Sequence, residues 1–534
     1  MRVVGYHLSG YEAVNSDGET EQSDYLGFLL RDKPDTLKVF YNLDWAVARL
    51  CYLLEIPEQQ LRKFWITGQL YWEGHQIFFV PHRYLSVKFG KYFGEATFSD
   101  AYQYDVSLPF EIDPLEAACK ARDIGQQVYD VLVKLNLSPR TLSSPIGAYQ
   151  KEILSTLDLP THKDMPAEVN YYAHMCKHGG WQEAYQRGHF EKVWDYDLVS
   201  AFTNHTANLI DTRKGRWVKS DKFFSPRKAP YGLVNGLASV ERDFNSVVYT
   251  HKKADYTPTG ERPDFKTNAS IAHMYDADEG KFKVTDGWYW FPDGPLEYPL
   301  KEHVERLFEW KQVLKGFEQG VIKRALVGLT GKLCESFPAN DKNPFGKFYN
   351  GVWYSWVQDA TKLQVADFVI ENKAEDALLS IAVDGCTFSR EIPIVETGAM
   401  GAWRLNTVAP AFVVSSGVGC IKGKEAKGTF ALNYDWLTDQ IAAQPGAAQY
   451  TMTKLAPVTI GNALKNHKLD HLGELEMSER AVVLQDVKRF YPENPTCGAD
   501  LMKQYPSLAL DMSVLEAENY FTEINGKPLD KGSN

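Results

Sequence analysis

The stretch Lys192-Val193-Trp194-Asp195-Tyr196-Asp197-Leu198-Val199-Ser200-Ala201-Phe202 decides how this chain is read. Its first half is β-prone, and Asp197 falls at the end of the expected strand. A carboxylate at the end of a buried strand is costly unless a cation sits beside it. A divalent metal bound by hard carboxylate oxygens is the usual answer. Such a site needs a second acid. The candidate is Asp384, in the run Ser380-Ile381-Ala382-Val383-Asp384-Gly385.

Composition bounds the rest. A chain of 534 residues is too long for one core, so about two to four domains of roughly 100–200 residues each are expected. Hydrophobic residues make up 44%, enough for ordinary cores. No run approaches the ~18 consecutive apolar residues of a membrane span, so no membrane partner is expected. The segment 1–21 lacks a basic region followed by an apolar run, so it is not read as a secretory signal. The seven cysteines are scattered with no CxxC spacing. That pattern reads as reduced thiols in the cytoplasm. A net charge of −11 argues only weakly against nucleic-acid binding, because a groove can be basic on an acidic molecule.

Taken in order, residues 1–110 read as a mixed α/β unit, with a strand at Lys38–Tyr41 and helical apolar spacing over 45–54. Asp17 and Glu19 stand at i and i+2, and on an extended segment they share a side. Asn42 and Asp44 follow the strand, and Asp123 lies on a helix expected over 115–135. Acids from three such places could hold the two ions, about 3.5–4 Å apart, of a two-metal nuclease. The pattern Ser16, Asp17, Gly18 equally suits a surface turn. Gly179-Gly180 allows close backbone approach to a phosphate chain, or a hairpin turn with strands at 184–186 and 189–193. Residues 205–300 read as an irregular insertion with short strands at 281–284 and 288–291.

Residues 302–334 carry two apolar stripes separated by a glycine-bearing tip at 315–320, an expected antiparallel helix pair. Lys323, Val327, Thr330 and Gly331 share one face of its second helix. A lysine there can reach a triphosphate as a point charge, and a solvated surface lysine is the plain alternative. A helix is expected over 361–370. Next come a strand at 378–383, a hairpin partner at 390–395, and strands at 411–414 and 429–432. Asp486-Val487-Lys488-Arg489-Phe490-Tyr491 sets two cations beside aromatics, suited to a nucleic-acid backbone.

The order of these pieces resembles the three polymerase motifs of the B-family DNA polymerases. The likeness is greatest to the compact enzymes of phages, plasmids and mobile elements, including protein-primed ones. The family's DxxSLYP motif is matched by Asp197-Leu198-Val199-Ser200-Ala201-Phe202-Thr203. Its KxxxNSxYGK motif is matched by 323–332, with Val327 in place of Asn and Thr330 in place of Tyr. Its DTDS motif is matched by Ala382-Val383-Asp384-Gly385, which keeps only the second acid. Gly179-Gly180 stands where the family has YxGG, and Lys488 with Phe490 where it has a Lys-x-aromatic grip on the primer strand. Gly401-Ala402-Trp403-Arg404 and Ser415-Ser416-Gly417 resemble the segment between. Asp17, Glu19, Asn42, Asp44 and Asp123 resemble the acids of the proofreading exonuclease. Cys119 replaces a usual Tyr there, and Asp44 is shifted by two positions, which implies weak or lost proofreading.

The resemblance implies an α+β multidomain right hand of palm, fingers and thumb, behind a ribonuclease-H-like exonuclease domain. The implied boundaries are 1–150 for the exonuclease, 151–300 and 334–490 for the palm, 301–333 for the fingers and 491–534 for the thumb. The implied activity is template-directed DNA synthesis from dNTPs on a primer-template, with two Mg²⁺ ions, or Mn²⁺, on Asp197 and Asp384. Lys323 is implied to neutralise the leaving phosphates, with Lys311 as a second cation and Gly331 beside the nucleotide. The Leu198 carbonyl completes a metal shell, and Phe202 lies under the sugar. A priming protein or other replication proteins are implied as partners, and a phage or plasmid in a bacterial host as the source. The altered motifs leave two other readings open: a polymerase-fold protein that binds nucleic acid or a partner without turnover, and an enzyme whose main activity is the nuclease.

Overall fold

The computed structural model describes residues 2–8, 12–24, 27–28, 31, 36–40, 58–59, 61, 69–72, 75–78, 113–134 and 153–516, without 253, 337–344, 425–431, 459 and 472–474. Asn42, Asp44, the helix expected over 45–54 and nearly all of the strand expected over 429–432 lie outside the described residues. The chain divides into two compact units. One comprises 1–158, 306–328 and 453–479, the other 159–305, 329–452 and 480–534.

In the first unit, β1 (Val3–Leu8), β2 (Ala13–Asn15), β3 (Thr20–Glu21) and β4 (Leu37–Phe40) form a mixed sheet in the order β3-β2-β1-β4. A separate hairpin joins β5 (Gln69–Trp72) and β6 (His75–Phe78). Helix α1 (Pro114–Lys134) follows. Asp113 accepts a hydrogen bond from the Glu116 N–H at 2.8 Å, and Pro114 opens the helix. An acidic cap followed by proline is a strong start signal, because proline lacks an N–H that would otherwise be orphaned. The buried side of α1 begins with Ala117, Ala118 and Ala121. Small residues are needed there, since a Cβ on Gly5 of β1 would lie 1.8 Å from the Ala118 carbonyl oxygen.

The second unit begins with α2 (Ala167–Met175), β7 (Gln182–Ala184), β8 (Gln186–Leu198) and α3 (Ala201–Ala207). The region expected to be an irregular insertion is regular. It holds β9 (Gly215–Ser220), β10 (Tyr231–Val240), β11 (Tyr249–His251), β12 (Ala254–Tyr256), β13 (Gly260–Thr267), α4 (Asn268–Asp276) and β14 (Gly280–Pro292). Four of these strands form an antiparallel sheet in the order β13-β10-β14-β9. Its core joins Val234, Ala238, Phe282 and Tyr289 to Ile271 and Met274 of α4. The short strands expected at 281–284 and 288–291 are one continuous strand. The density of glycine, proline and charge along the sequence obscured a sheet whose second face is polar.

The expected helix pair is α5 (Lys301–Val313) and α6 (Gly316–Leu333). Its connection is shorter than the glycines suggested, because Gly316 and Gly320 are inside α6. Next comes α7 (Gly351–Glu371), buried along most of its length, with Val352, Trp353, Val357, Val365, Ala366 and Val369 inaccessible. A helix apolar on most sides belongs at the centre of a unit. Asn350 caps it by accepting from the Trp353 N–H at 3.1 Å.

After α7 come β15 (Leu378–Ala382), β16 (Gly385–Phe388), β17 (Trp403–Ser415), β18 (Val418–Ile421) and α8 (Tyr434–Ala443). The expected hairpin partner at 390–395 is a correction. β15 turns directly into β16 through Val383 and Asp384, and Ala382 faces Gly385 across the turn. The chain continues through β19 (Gln449–Pro457), α9 (Ile460–Asn466), β20 (Leu475–Val483), β21 (Arg489–Phe490), β22 (Gln504–Pro506), β23 (Leu508–Ala509) and α10 (Met512–Glu516).

The main sheet runs β18-β17-β8-β16-β15-β7, with β22 also paired to β8. One face packs on α7, where Tyr196, Leu198, Leu378, Ile381 and Phe388 meet Val365, Phe368 and Val369. β7 pairs with β15 rather than with β8, so Gly179-Gly180 does not form the hairpin turn that the sequence also allowed. Among the described residues no helix is long and apolar enough to cross a membrane.

Candidate active site

Strand β8 lies between β16 and β17 at its C-terminal end, and this register assembles the candidate site. Asp197 faces Gly385 on one side and Arg404 on the other. The Leu198 N–H donates to the Asp384 carbonyl at 2.9 Å. Two acids with the helix pair and all of α7 between them in sequence are therefore backbone neighbours. Val199 extends the seam, donating to the Ala402 carbonyl at 2.9 Å and accepting from the Gly401 N–H at 2.8 Å.

Alternation along β8 sorts its side chains. Tyr196 and Leu198 enter the core against α7, so Asp195 and Asp197 share the opposite face. Asp197 Oδ2 accepts from Arg404 Nη2 at 3.0 Å. Asp195 is buried; it pairs with the Lys424 ammonium and accepts from Thr387 and Asn406, each at 3.3 Å. A pocket of about 90 Å³ opens beside Asp195, with Ala382, Gly385, Thr387 and Lys424 in its lining. Asp195 was not singled out from the sequence, although Asp-Tyr-Asp puts two acids on one face of a strand. Asn406 and Lys424 gave no local signal, and Arg404 none for this contact, because the pairings of β17 with β8 and of β18 with β17 bring them here.

Two residues of this site carry backbone strain. Ser200, just after β8, has φ 54°, and Val383, in the turn before Asp384, has φ 64°. The left-handed region is unfavourable for a β-branched residue, and such strain gathers at functional sites. Neighbours hold the Val383 turn in place. The Val383 N–H donates to the Trp181 carbonyl at 2.7 Å. A Cβ on Gly180 would meet the Val383 Cγ2 at 2.7 Å. Gly180 is thus needed so that a branched side chain can pack on it, and the Gly-Gly segment is tied to the turn bearing Asp384. The Gly179 N–H donates to Asp255 at 2.6 Å.

A buried polar network lies behind this segment. His178 Nε2 contacts Asp359 at 2.8 Å and Nδ1 contacts the Gly179 carbonyl at 2.7 Å. Asp359 also accepts from Thr267 at 2.5 Å and from Lys362 at 2.6 Å. Burial opposes the charged form of Asp359, yet Lys362 and His178 outweigh it and hold the carboxyl well below its usual range. Fully partnered groups of this kind rigidify a core.

Phe202 is half-buried on α3. Its carbonyl accepts from the Thr206 hydroxyl at 2.7 Å. That hydroxyl has one proton, so Thr330, 3.0 Å away, is the donor in their contact. Thr330 of α6 is thereby anchored on α3. Lys488 reaches the Gln182 carbonyl of β7 at 3.1 Å. Its loop is held by Asp486, which accepts from the Lys488 N–H at 2.8 Å and from Ser416 and Tyr491. Phe490 is exposed beside it.

Lys323 and Lys311 belong to the first unit. Lys323 is exposed on α6, and the Lys311 ammonium lies 5.4 Å from the Phe308 ring centre. Gly331 is exposed, with open space where a Cβ would stand. Asp17 and Glu19 sit in a turn between β2 and β3 rather than on an extended strand, which corrects the reasoning that set both acids on one side. Asp17 pairs with Arg2, Glu19 accepts from Asn15 at 2.8 Å, and exposed Asp123 pairs with Arg122. The Cys119 thiol lies 3.8 Å from the Ser16 carbonyl, so this turn and α1 are adjacent.

The acids that could hold a cation here are Asp197 and Asp384. Asp197 already holds one positive group, the Arg404 guanidinium. Among the described residues, no three His, Cys, Asp or Glu side chains are grouped to hold a metal. Any ion here would draw on two carboxylates plus carbonyl oxygens such as that of Leu198.

No protein-family model matches the chain, and no curated protein matches it. Solved structures do. Phi29 DNA polymerase complexed with primer-template DNA and incoming nucleotide substrates matches with a TM-score of 0.61 at 12% identity, over 91% of this chain and 99% of that one. Its binary complex with primer-template DNA matches with a TM-score of 0.61 at 11% identity, over 91% and 100%. An orthorhombic crystal form of the same polymerase gives 0.59 at 13% identity, over 91% and 100%. In fold, the chain resembles the phage DNA polymerases of the B family.

Proposed function

We propose that the protein is a template-directed DNA polymerase that joins dNTPs to a primer 3′ end at Asp197 and Asp384. The observation that carries this reading is the Leu198 N–H to Asp384 carbonyl bond. It makes neighbours of the two acids that the sequence had singled out. The likeness in fold to a polymerase solved with primer-template DNA supports the same reading.

The main sheet and α7 correspond to a palm, α5 and α6 to fingers, and the C-terminal segment to a thumb. In the reaction the primer 3′-oxygen attacks the α-phosphorus of the dNTP. The bond to the bridging oxygen breaks, and pyrophosphate leaves. Bound Mg²⁺, or Mn²⁺ in its place, would lower the pKa of the 3′-hydroxyl and neutralise the triphosphate. Asp197 and Asp384 would hold that charge in place, with the Leu198 carbonyl beside them. Lys323 would offset charge on the departing phosphates, a contribution that grows as water is excluded. Lys311 and the small surface at Gly331 would border the nucleotide. Phe202, anchored through Thr206, would pack under the sugar and disfavour a 2′-hydroxyl. Gly179, Gly180, Lys488 and Phe490 would contact the DNA backbone. The acids at 17, 19 and 123 suit a weak or lost 3′–5′ exonuclease, since Asp17 and Asp123 are ion-paired within the chain. A priming protein is a natural further partner, and a phage or plasmid in a bacterial cytoplasm a natural setting.

Primer extension on a defined template tests this. Wild-type protein should add the templated nucleotide with Mg²⁺, and Asp197→Asn or Asp384→Asn should abolish addition while leaving DNA binding intact. Full incorporation by Asp197→Asn rules the assignment out. A second reading, binding without turnover, is favoured by Ala382 and by the Arg404 pair on Asp197. Normal gel shifts with no incorporation in Mg²⁺ or Mn²⁺ would establish it.

A further inference from the structure

Arg404 has no role in the polymerase reaction set out above, yet its guanidinium contacts the carboxylate on which that reaction depends. It stands directly across from Asp197 in the β17–β8 register, with Nη2 3.0 Å from Oδ2. Its side chain is 50% exposed and that of Asp197 14%. A guanidinium stays charged at every accessible pH. It therefore meets the need of Asp197 for a counter-charge whenever no other cation does.

We propose that Arg404 is an internal competitor for the metal, occupying Asp197 until a divalent ion displaces it, and so sets how much metal the enzyme needs. This rests on the polymerase reading of the same site. The geometry allows the exchange. Arg404 is on an edge of the site open to water, so its head can leave Asp197 and be hydrated while its stem stays against the strand. Lys424 is different, because its partner is the buried Asp195, two residues away on β8.

The test is Mn²⁺ binding by the full chain, followed by the loss of the free-ion electron paramagnetic resonance signal. Wild type, Arg404→Gln, Arg404→Met, Arg404→Lys and Asp384→Asn are compared. Arg404→Gln and Arg404→Met should bind Mn²⁺ about two- to fivefold more tightly than wild type, the range of an exposed ion pair. The gain should shrink as salt rises. Arg404→Lys should stay near wild type. The midpoint of thermal unfolding should rise more on adding Mn²⁺ for Arg404→Gln than for wild type. Equal affinities for wild type and both neutral variants, with binding still lost in Asp384→Asn, overturn the role of Arg404 and leave the metal site standing. Binding that is indifferent to Asp384→Asn overturns both.

Discussion

Gly180→Ala is the most informative single change. The new methyl would lie 2.7 Å from the Val383 Cγ2 and 3.0 Å from Cγ1. Neither side can yield easily. Val383 is β-branched, with little χ1 freedom. Its backbone is held at φ 64° and tied to the Trp181 carbonyl at 2.7 Å. The turn must shift, and Asp384 with it. Overpacking of this kind costs about 1–3 kcal/mol, and the incorporation rate should fall further than the stability, because a displacement of about 1 Å can cost 10²-fold. Val383→Gly supplies the control. It removes the clashing methyls and relieves about 1–2 kcal/mol of left-handed strain, against about 0.5–1 kcal/mol of glycine entropy. The double variant should recover most of the lost stability, with a coupling of about 1–2 kcal/mol in the cycle. Chemical denaturation and single-nucleotide incorporation are the assays. If Gly180→Ala costs as much in the Val383→Gly background as in wild type, the packing of these two residues does not hold the turn.

Other consequences follow from the second unit. Burial lowers the His273 pKa, but the hydrogen bond it donates to Asp367 and the nearby Glu279 carboxylate more than offset this and bring the value up to about 9. A raised pKa stabilises the fold fully below the unfolded value of about 6.5, and that contribution is lost as pH rises through about 9. Unfolding measured from pH 6 to 10 should show this loss, and His273→Gln should flatten it. Thr206→Val strands the buried Thr330 hydroxyl and should cost about 1–3 kcal/mol in denaturant titrations. Glu183→Ala removes one of two carboxylates from buried Arg489, the one 3.2 Å away, and leaves Asp243 at 2.9 Å, so it should cost about 1–3 kcal/mol. Lys488→Ala should weaken DNA binding alike on all sequences and lower the salt slope by about one.

Much of this arrangement was legible in the chain itself. Asp197 and Asp384 stood out because an acid at a strand end needs a counter-charge. The expected helix over 115–135 is α1, and the two stripes around 302–334 gave the helix pair. What stayed hidden depended on pairing across long stretches of sequence. Arg404 and Lys424 reach the site only through the pairings of β17 with β8 and of β18 with β17. Gly180 looked like a turn residue, and its reason is a valine two hundred positions away. The sheet at 215–292 was missed because its strands mix charged and aromatic residues and bury only part of each face. At Asp17 and Glu19 the sequence allowed an extended strand or a surface turn, and Gly18, with φ 83°, makes the turn.

Anomalous diffraction from crystals grown with Mn²⁺, primer-template DNA and a non-hydrolysable dNTP tests the central claim most directly. The site predicts two Mn²⁺ peaks, about 3.5–4 Å apart, within bonding distance of the carboxylates of Asp197 and Asp384, with Arg404 moved off Asp197. Well-ordered DNA and nucleotide with no metal within bonding distance of either carboxylate would contradict it.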